Sequence, residues 1–458
     1  MVFSSILFIF RFLPIAMILY FLTPTKFKNL TLLLVSLIFY SWGEPKYFLI
    51  MVASIVVDYL VSRGIEKSRN NKKICILLLS ISMIFNLGML FFFKYFNFFI
   101  ENLNNILGIS LKYVNITLPL GISFYTFQTM SYTIDVFLGK VKAEKNIINF
   151  GAFVCLFPQL IAGPIVKYTD INLELKHRKI DIIQIQDGIE LFIIGLGSKV
   201  LIANNIGAFW SEIEGRGFGG VGTIIAWMSV LAFALQIYFD FSGYSLMAIG
   251  LGKILGFNFP RNFNYPYISK SITEFWRRWH ITLGAWFKEY VYIPLGGNRV
   301  GRLRLYINLF IVWFLTGFWH GASYNFILWG LYFFILISIE KAVLLKFLKN
   351  HKIISHIYSI FFILLGWAIF AVVDLEQLKI LLKEMFSISK NTQWIYYVRN
   401  YGITFIIATV LSTPMVKNIY NKLIKSDILK TVILMVIFLI SIAYLVDATY
   451  NPFLYFRF

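Results

Sequence analysis

Apolar runs long enough to cross a bilayer follow one another along almost the whole of this chain, and that repetition decides its fold class. A spanning helix needs about 20 predominantly apolar residues, because the hydrocarbon core is about 30 Å thick. The chain has 458 residues, of which 59% are hydrophobic and only 14% charged. Roughly ten to twelve crossings fit into such a chain. Long apolar runs pair their backbone groups within the segment, so the crossings are helices. The expectation is an all-α polytopic membrane protein, a single integral domain over 1–458.

Charge fixes the expected orientation. Lys and Arg number 42 against 22 Asp and Glu, a net charge of +20. The basic residues lie in short loops between apolar runs and form no patch on a soluble domain. They therefore read as cytoplasmic loops facing anionic lipid, not as a nucleic-acid surface. The run 6–22 has neither a basic n-region nor a small-residue cleavage site, and is read as a mature helix rather than a signal peptide. Spans near 29–42 and 47–61 lead to Arg63, Lys67, Arg69, Lys72 and Lys73, placed in the cytoplasm, which puts both termini outside. Further spans fall near 74–95, 116–137, 183–203, 223–251, 306–320, 324–340, 354–373, 401–415 and 431–447. The run 147–165 is basic at both ends and contains Pro158 and Gly163-Pro164. It reads as re-entrant, since irregular backbone at membrane depth survives only when buried in protein or lining a cavity. The aromatic, basic stretch 253–304 reads as interfacial or re-entrant helices. Cys75 and Cys155 both sit in apolar runs, which argues against a disulfide framework or a cysteine-ligated metal.

The polar motifs cluster between about 157 and 330, pointing to one site. His320 ends an apolar segment within Leu315-Thr316-Gly317-Phe318-Trp319-His320-Gly321-Ala322. An ionisable group kept at membrane depth is costly and reads as functional. Burial disfavours the charged imidazole, and a neutral one can take the proton of an attacking hydroxyl. The competing reading is a core histidine bonded to a backbone carbonyl. Gly317 and Gly321 permit a close helix approach or a local break. His280 follows Trp276-Arg277-Arg278-Trp279. Arg277 and Arg278 either clamp phosphate groups or anchor an interfacial helix with the tryptophans at the headgroups. Asp240, in Tyr238-Phe239-Asp240-Phe241-Ser242-Gly243-Tyr244, either orients a histidine or pairs with an arginine. Asp58 and Asp135 are expected to pair with Arg63 and Lys140. His177, His351 and His356 read as solvated loop residues. The segment Tyr292 through Arg299, with Asn298, is a turn whose amides either meet an anion or simply close the turn.

In order along the chain, Met1-Val2-Phe3-Ser4-Ser5, Phe157-Pro158-Gln159-Leu160-Ile161-Ala162-Gly163-Pro164-Ile165, Asp240 through Ser245, Phe275 through His280, Tyr292 through Asn298 and Trp319-His320-Gly321-Ala322 resemble the membrane-bound O-acyltransferase superfamily. The resemblance is to its bacterial branch, which holds the alginate and peptidoglycan O-acetyltransferase membrane subunits. It implies a ring of helices shaped as an hourglass, with a cytoplasmic and an outer funnel meeting near His320. It implies that His320 is the catalytic histidine and His280 the second polar position. Asp240, Trp319, Arg277, Arg278, Gln159, Tyr244 and Asn298 are the supporting or substrate-binding candidates. No metal and no tightly bound cofactor are expected; acetyl-CoA is the expected acyl donor.

The chain ends Pro452-Phe453-Leu454-Tyr455-Phe456-Arg457-Phe458. This is similar to the Phe-x-Tyr-x-x-Phe terminus of the companion peptide in teichoic acid D-alanylation, and makes Tyr455 a candidate acyl carrier. The alternative is an aromatic interfacial anchor. The expected function is O-acetylation of an extracytoplasmic polysaccharide from the bacterial inner membrane, peptidoglycan before alginate, with an SGNH-type hydrolase-like partner outside. D-alanyl transfer is the nearest rival. A transporter or flippase predicts inverted repeats and paired broken helices; the sequence shows one polar cluster and no repeat.

Overall fold

The computed structural model describes residues 2–161, 163–388 and 391–447, and their regular elements are all helices, with no strand among them. Seven of these helices are long and apolar enough to cross a membrane. The count is eight if Trp394–Leu411 and Met415–Leu423, bent by 75°, form one broken span. The protein is thus an all-α polytopic membrane protein. The expected ten to twelve crossings also counted runs that fold into shorter helices. Of 116–137, only Ile122–Phe137, 16 residues, is helical. At 1.5 Å per residue that is about 24 Å, less than the bilayer core.

The chain forms two compact units, Met1–Phe192 with Met247–Pro260, and Ile193–Leu246 with Arg261–Phe458. In the first unit, helices α1 (Phe48–Lys67), α2 (Lys72–Leu90) and α3 (Ile122–Phe137) meet on a buried carboxylate. Asn71 starts α2 by accepting the Ile74 amide proton, as an N-cap does. Asp58 of α1 is fully buried. It accepts hydrogen bonds from Ser82, from Asn86 Nδ2 at 2.9 Å and from Thr133 Oγ1 at 3.2 Å. Thr129 closes the network on Asn86 Oδ1 at 3.1 Å. The expected partner Arg63 is not among these bonds: three polar side chains on two neighbouring helices reach the carboxylate inside the bundle. Asp135 does pair with Lys140, at 3.0 Å.

The segment expected to be re-entrant breaks as its prolines and glycines dictate. Helix α4 (Ile147–Cys155), capped by Asn146, stops at Leu156, and a four-residue turn of helix, α5 (Phe157–Leu160), carries Pro158 near its start. The freed backbone groups find partners inside the unit. Phe157 N donates to Ser36 Oγ at 3.0 Å and Gln159 Nε2 donates to Phe153 O at 2.6 Å. Gly121 (φ +73°) lets the chain pass this break: a Cβ there would lie 2.6 Å from Leu160 O.

The second unit is built on the Thr223–Leu246 part of α6 (Thr223–Ile254) and on α7 (Ile272–Arg278), α8 (Ile281–Phe287), α9 (Arg302–His320), α10 (Tyr324–Ile339) and α11 (Lys352–Ala371). Helices α9 and α10 pack backbone to backbone. A Cβ on Gly317 would sit 2.3 Å from Phe326 O, and one on Gly330 2.5 Å from Trp313 O. Small residues at a helix crossing permit this approach where lipid supplies no hydrophobic drive.

Candidate active site

His320 is the last residue of α9. The helix ends there because Gly321 is extended (φ −172°, ψ 158°), and a Cβ at Gly321 would strike the Phe326 ring at 2.3 Å. The turn into α10 therefore depends on the glycine, and it fixes the imidazole among aromatic rings. Trp319, Trp329 and Phe370 lie edge-on to it at 5.0, 5.1 and 5.2 Å between ring centroids. Asn325 holds the end of α11 beside them, donating from Nδ2 to Ile369 O at 3.3 Å and Phe370 O at 3.0 Å.

His280 stands between α7 and α8 in the left-handed region (φ 42°, ψ 55°). For a residue with a Cβ this conformation costs about 1–2 kcal/mol. Two backbone bonds impose it: Asn264 N donates to Arg278 O and Ile281 N to Asn262 O, each at 2.9 Å. Strain held by its surroundings in this way concentrates at functional sites. The ring packs on Phe241 at 4.7 Å, and Nδ1 lies 3.1 Å from Asn262 Oδ1. Burial drops the imidazole pKa from 6.5 to about 3, with a backbone hydrogen bond opposing in part. Desolvation penalises the imidazolium, so the ring is neutral at physiological pH.

The two histidines both lie against one indole. Trp319 is 5.0 Å from His320 and 6.3 Å from His280 between centroids. His320, His280 and Trp319 are only 7%, 2% and 4% exposed, which removes bulk water from around both rings. The structure thus unites the two histidines that the sequence singled out, 40 positions apart.

The other candidates divide. Asp240 forms an ion pair with Lys199 at 2.7 Å, and Lys199 Nζ donates to Asn204 Oδ1 at 2.8 Å. Lys199 comes from a widened turn, Ser198–Ala203, that places it facing α6. Tyr244 is buried on α6. Arg278 is held by Glu274 at 2.9 Å and by Asn264 O at 3.1 Å, whereas Arg277 is exposed. Trp279 is buried against Trp367 at 4.7 Å, and Trp276 packs on Trp313 at 4.9 Å and Trp329 at 5.3 Å, so both rings pack against other aromatic side chains of the unit. Asn298 is exposed. The amides of Gly296, Gly297 and Arg299 close their own turn onto Ile293, Tyr292 and Gly296, and Asn308 Nδ2 braces it at Leu295 O and Gly297 O. Gln159 belongs to the first unit, where its amide supports the helix break. Tyr455 lies outside the described residues.

Three residues escaped the sequence reading. Glu340, fully buried at the end of α10, accepts from Ile272 N at 2.5 Å, Thr273 N at 2.9 Å and Thr273 Oγ1 at 2.6 Å. It seats the start of α7, where a carboxylate is favoured by the exposed amides and the helix dipole. Lys199 carried the same signal, a charge inside an apolar run. Asn262 carried none, because one asparagine in the loop Pro260-Arg261-Asn262-Phe263-Asn264 looks like any other.

Comparison with known proteins follows the same lines. The family model for the membrane-bound O-acyltransferase family matches residues 141–373. The chain is 39% identical over 392 residues to the probable alginate O-acetylase AlgI of Pseudomonas aeruginosa, covering 84% of this chain and 75% of that one. It is 37% identical over 427 residues to the peptidoglycan O-acetyltransferase of Helicobacter pylori, covering 85% and 80%. To the teichoic acid D-alanyltransferase of Bacillus subtilis it is 28% identical over 238 residues, 48% and 58% of the two chains. A multispan helical fold that buries a tryptophan-spaced histidine pair, and relatives of this similarity and coverage, agree: the chain belongs to the membrane-bound O-acyltransferase family and is an O-acyltransferase.

Proposed function

We propose that this enzyme takes an acetyl group from acetyl-CoA on the cytoplasmic side of the cell membrane and passes it on for O-acetylation of an extracytoplasmic polysaccharide. The observation that carries the reading is the pair of buried imidazoles that both lie against Trp319. In the proposed step a hydroxyl oxygen attacks the thioester carbonyl while His320 takes the hydroxyl proton. The C–O bond forms, the C–S bond breaks, and the proton passes from the imidazole to the departing thiolate. His280, neutral and fixed, is the second polar group of the reacting site. Exposed Arg277 suits the donor's phosphates, since a guanidinium matches them bidentately. Tyr455 is the proposed first acceptor, because an aryl ester is a better leaving group than an alkyl ester. A hydrolase-like partner outside then completes transfer to the sugar.

Peptidoglycan stands first as acceptor, on a composition heavy in Lys, Asn, Ile and Phe. Such usage belongs to AT-rich genomes, whereas alginate-type export is commoner in GC-rich ones. An alginate-type exopolysaccharide is the second reading, favoured by the 39% identity to a probable alginate O-acetylase. D-alanyl transfer is disfavoured by a similarity that covers only half of this chain. The test is His320→Ala in the native host, with membrane insertion verified and acetyl esters assayed separately from purified cell wall and from secreted polysaccharide. Loss of wall-bound acetate supports the first reading and loss from secreted polymer the second; unchanged acetate in both fractions rejects the proposal.

A further inference from the structure

Asn262 makes a constellation of bonds that fixes more than a loop. Its side-chain oxygen lies 3.3 Å from Thr282 N, 3.0 Å from Thr282 Oγ1 and 3.1 Å from His280 Nδ1. A backbone N–H can only donate, so the amide atom facing Thr282 N is the oxygen; the flipped amide would set two donors against each other. That oxygen can only accept. His280 Nδ1, facing it, must therefore carry the ring proton, and in the neutral ring Nε2 then carries the lone pair. The same residue also uses its backbone: Asn262 O receives Ile281 N at 2.9 Å, which holds the left-handed turn at His280. Asn262 is 1% exposed, so water does not replace it.

We infer that Asn262 is a positioning residue for acyl transfer: it holds His280 in the Nδ1–H tautomer and so presents Nε2 as the accepting nitrogen of the histidine pair. The inference rests on the reading of His280 as part of the reacting site. It assigns Asn262 no contact with substrate. Its action is to select one of two neutral tautomers that a buried imidazole otherwise shares; in the other, Nε2 would carry a proton where the site is to be offered an acceptor.

The test uses the full-length protein in lipid bilayers with 15N-labelled histidine. The His280 signals are identified as those missing from His280→Gln. Wild type is expected to show a protonated Nδ1 and an unprotonated Nε2. Asn262→Leu, which keeps the volume and removes the acceptor, is expected to lose that preference and to lower kcat on the order of 10²-fold, the low end of what one positioned proton-handling group contributes, with KM little changed. Asn262→Asp keeps an acceptor oxygen for Thr282 N and His280 Nδ1, and is expected to retain a protonated Nδ1 and to recover most of the turnover lost in Asn262→Leu. It also serves if the leucine variant fails to fold. A wild-type spectrum with protonated Nε2, or Asn262→Leu with unaltered His280 signals and kcat, would overturn the inference. Full turnover in His280→Gln would overturn it differently, by removing the catalytic reading beneath it while leaving the spectrum as expected.

Discussion

Lys199 and Asp240 are 2% and 3% exposed at their side chains and 2.7 Å apart. Moving each charge out of water costs several kcal/mol, offset only while both are present. Lys199→Met or Asp240→Asn alone is expected to destabilise the protein by about 3–5 kcal/mol. The double variant Lys199→Met/Asp240→Leu should regain most of that, read as the thermal midpoint of the purified protein. If acyl transfer returns with stability in the double variant, Asp240 is a structural partner of α6; if stability returns and activity does not, Asp240 contributes to the chemistry. The sequence made Asp240 and His320 visible because charge-capable groups in apolar runs stand out, and His280 through the Trp-Arg-Arg-Trp motif that precedes it. It did not make their partners visible. Asp240 binds a lysine about 40 residues upstream, and Asn262 acquires meaning only when the fold sets it 3.1 Å from an imidazole.

At the scale of elements, α9 and α10 bring His320 into place by contact between their backbones. Gly317→Ala puts a methyl group 2.3 Å from Phe326 O, which cannot move without its helix. Overpacking of this kind costs about 1–3 kcal/mol, and the expected result is a lowered thermal midpoint together with reduced transfer. Gly402→Ala is the control, since its Cβ would meet only Val398 Cγ1 at an ordinary 3.6 Å. Equal stability of the two variants would contradict the packing argument. The breaks near Pro158 and at Gly321 were legible, because proline and glycine stop helices by local chemistry alone. The seat of α7 on Glu340 was not, because a helix as short as Ile272–Arg278 is stabilised by distant residues and shows little periodicity.

For the whole molecule, hydropathy made the class plain, and charge asymmetry predicts an orientation with the loop at 63–73 inside and the glycine-rich loop Gly215 to Gly222 outside. The native Cys75 and Cys155 are both buried, which makes the protein suited to single-cysteine labelling. A membrane-impermeant maleimide should modify Gly219→Cys in intact cells and Asn71→Cys only after lysis, both positions being exposed; the reverse pattern would invert the topology. Tyr455→Phe keeps the ring and removes the nucleophile, and should abolish polysaccharide acetylation while leaving membrane insertion intact. Undiminished acetylation would reject the carrier role. The central claim, that the histidine pair around Trp319 transfers the acyl group, is tested most directly with purified enzyme in lipid vesicles given labelled acetyl-CoA. Wild type should release CoA and deposit label on the protein or an added acceptor. Folded His320→Ala should lower that rate by roughly 10²–10⁴-fold, the range of general-base catalysis. A wild-type rate in the alanine variant would contradict the claim.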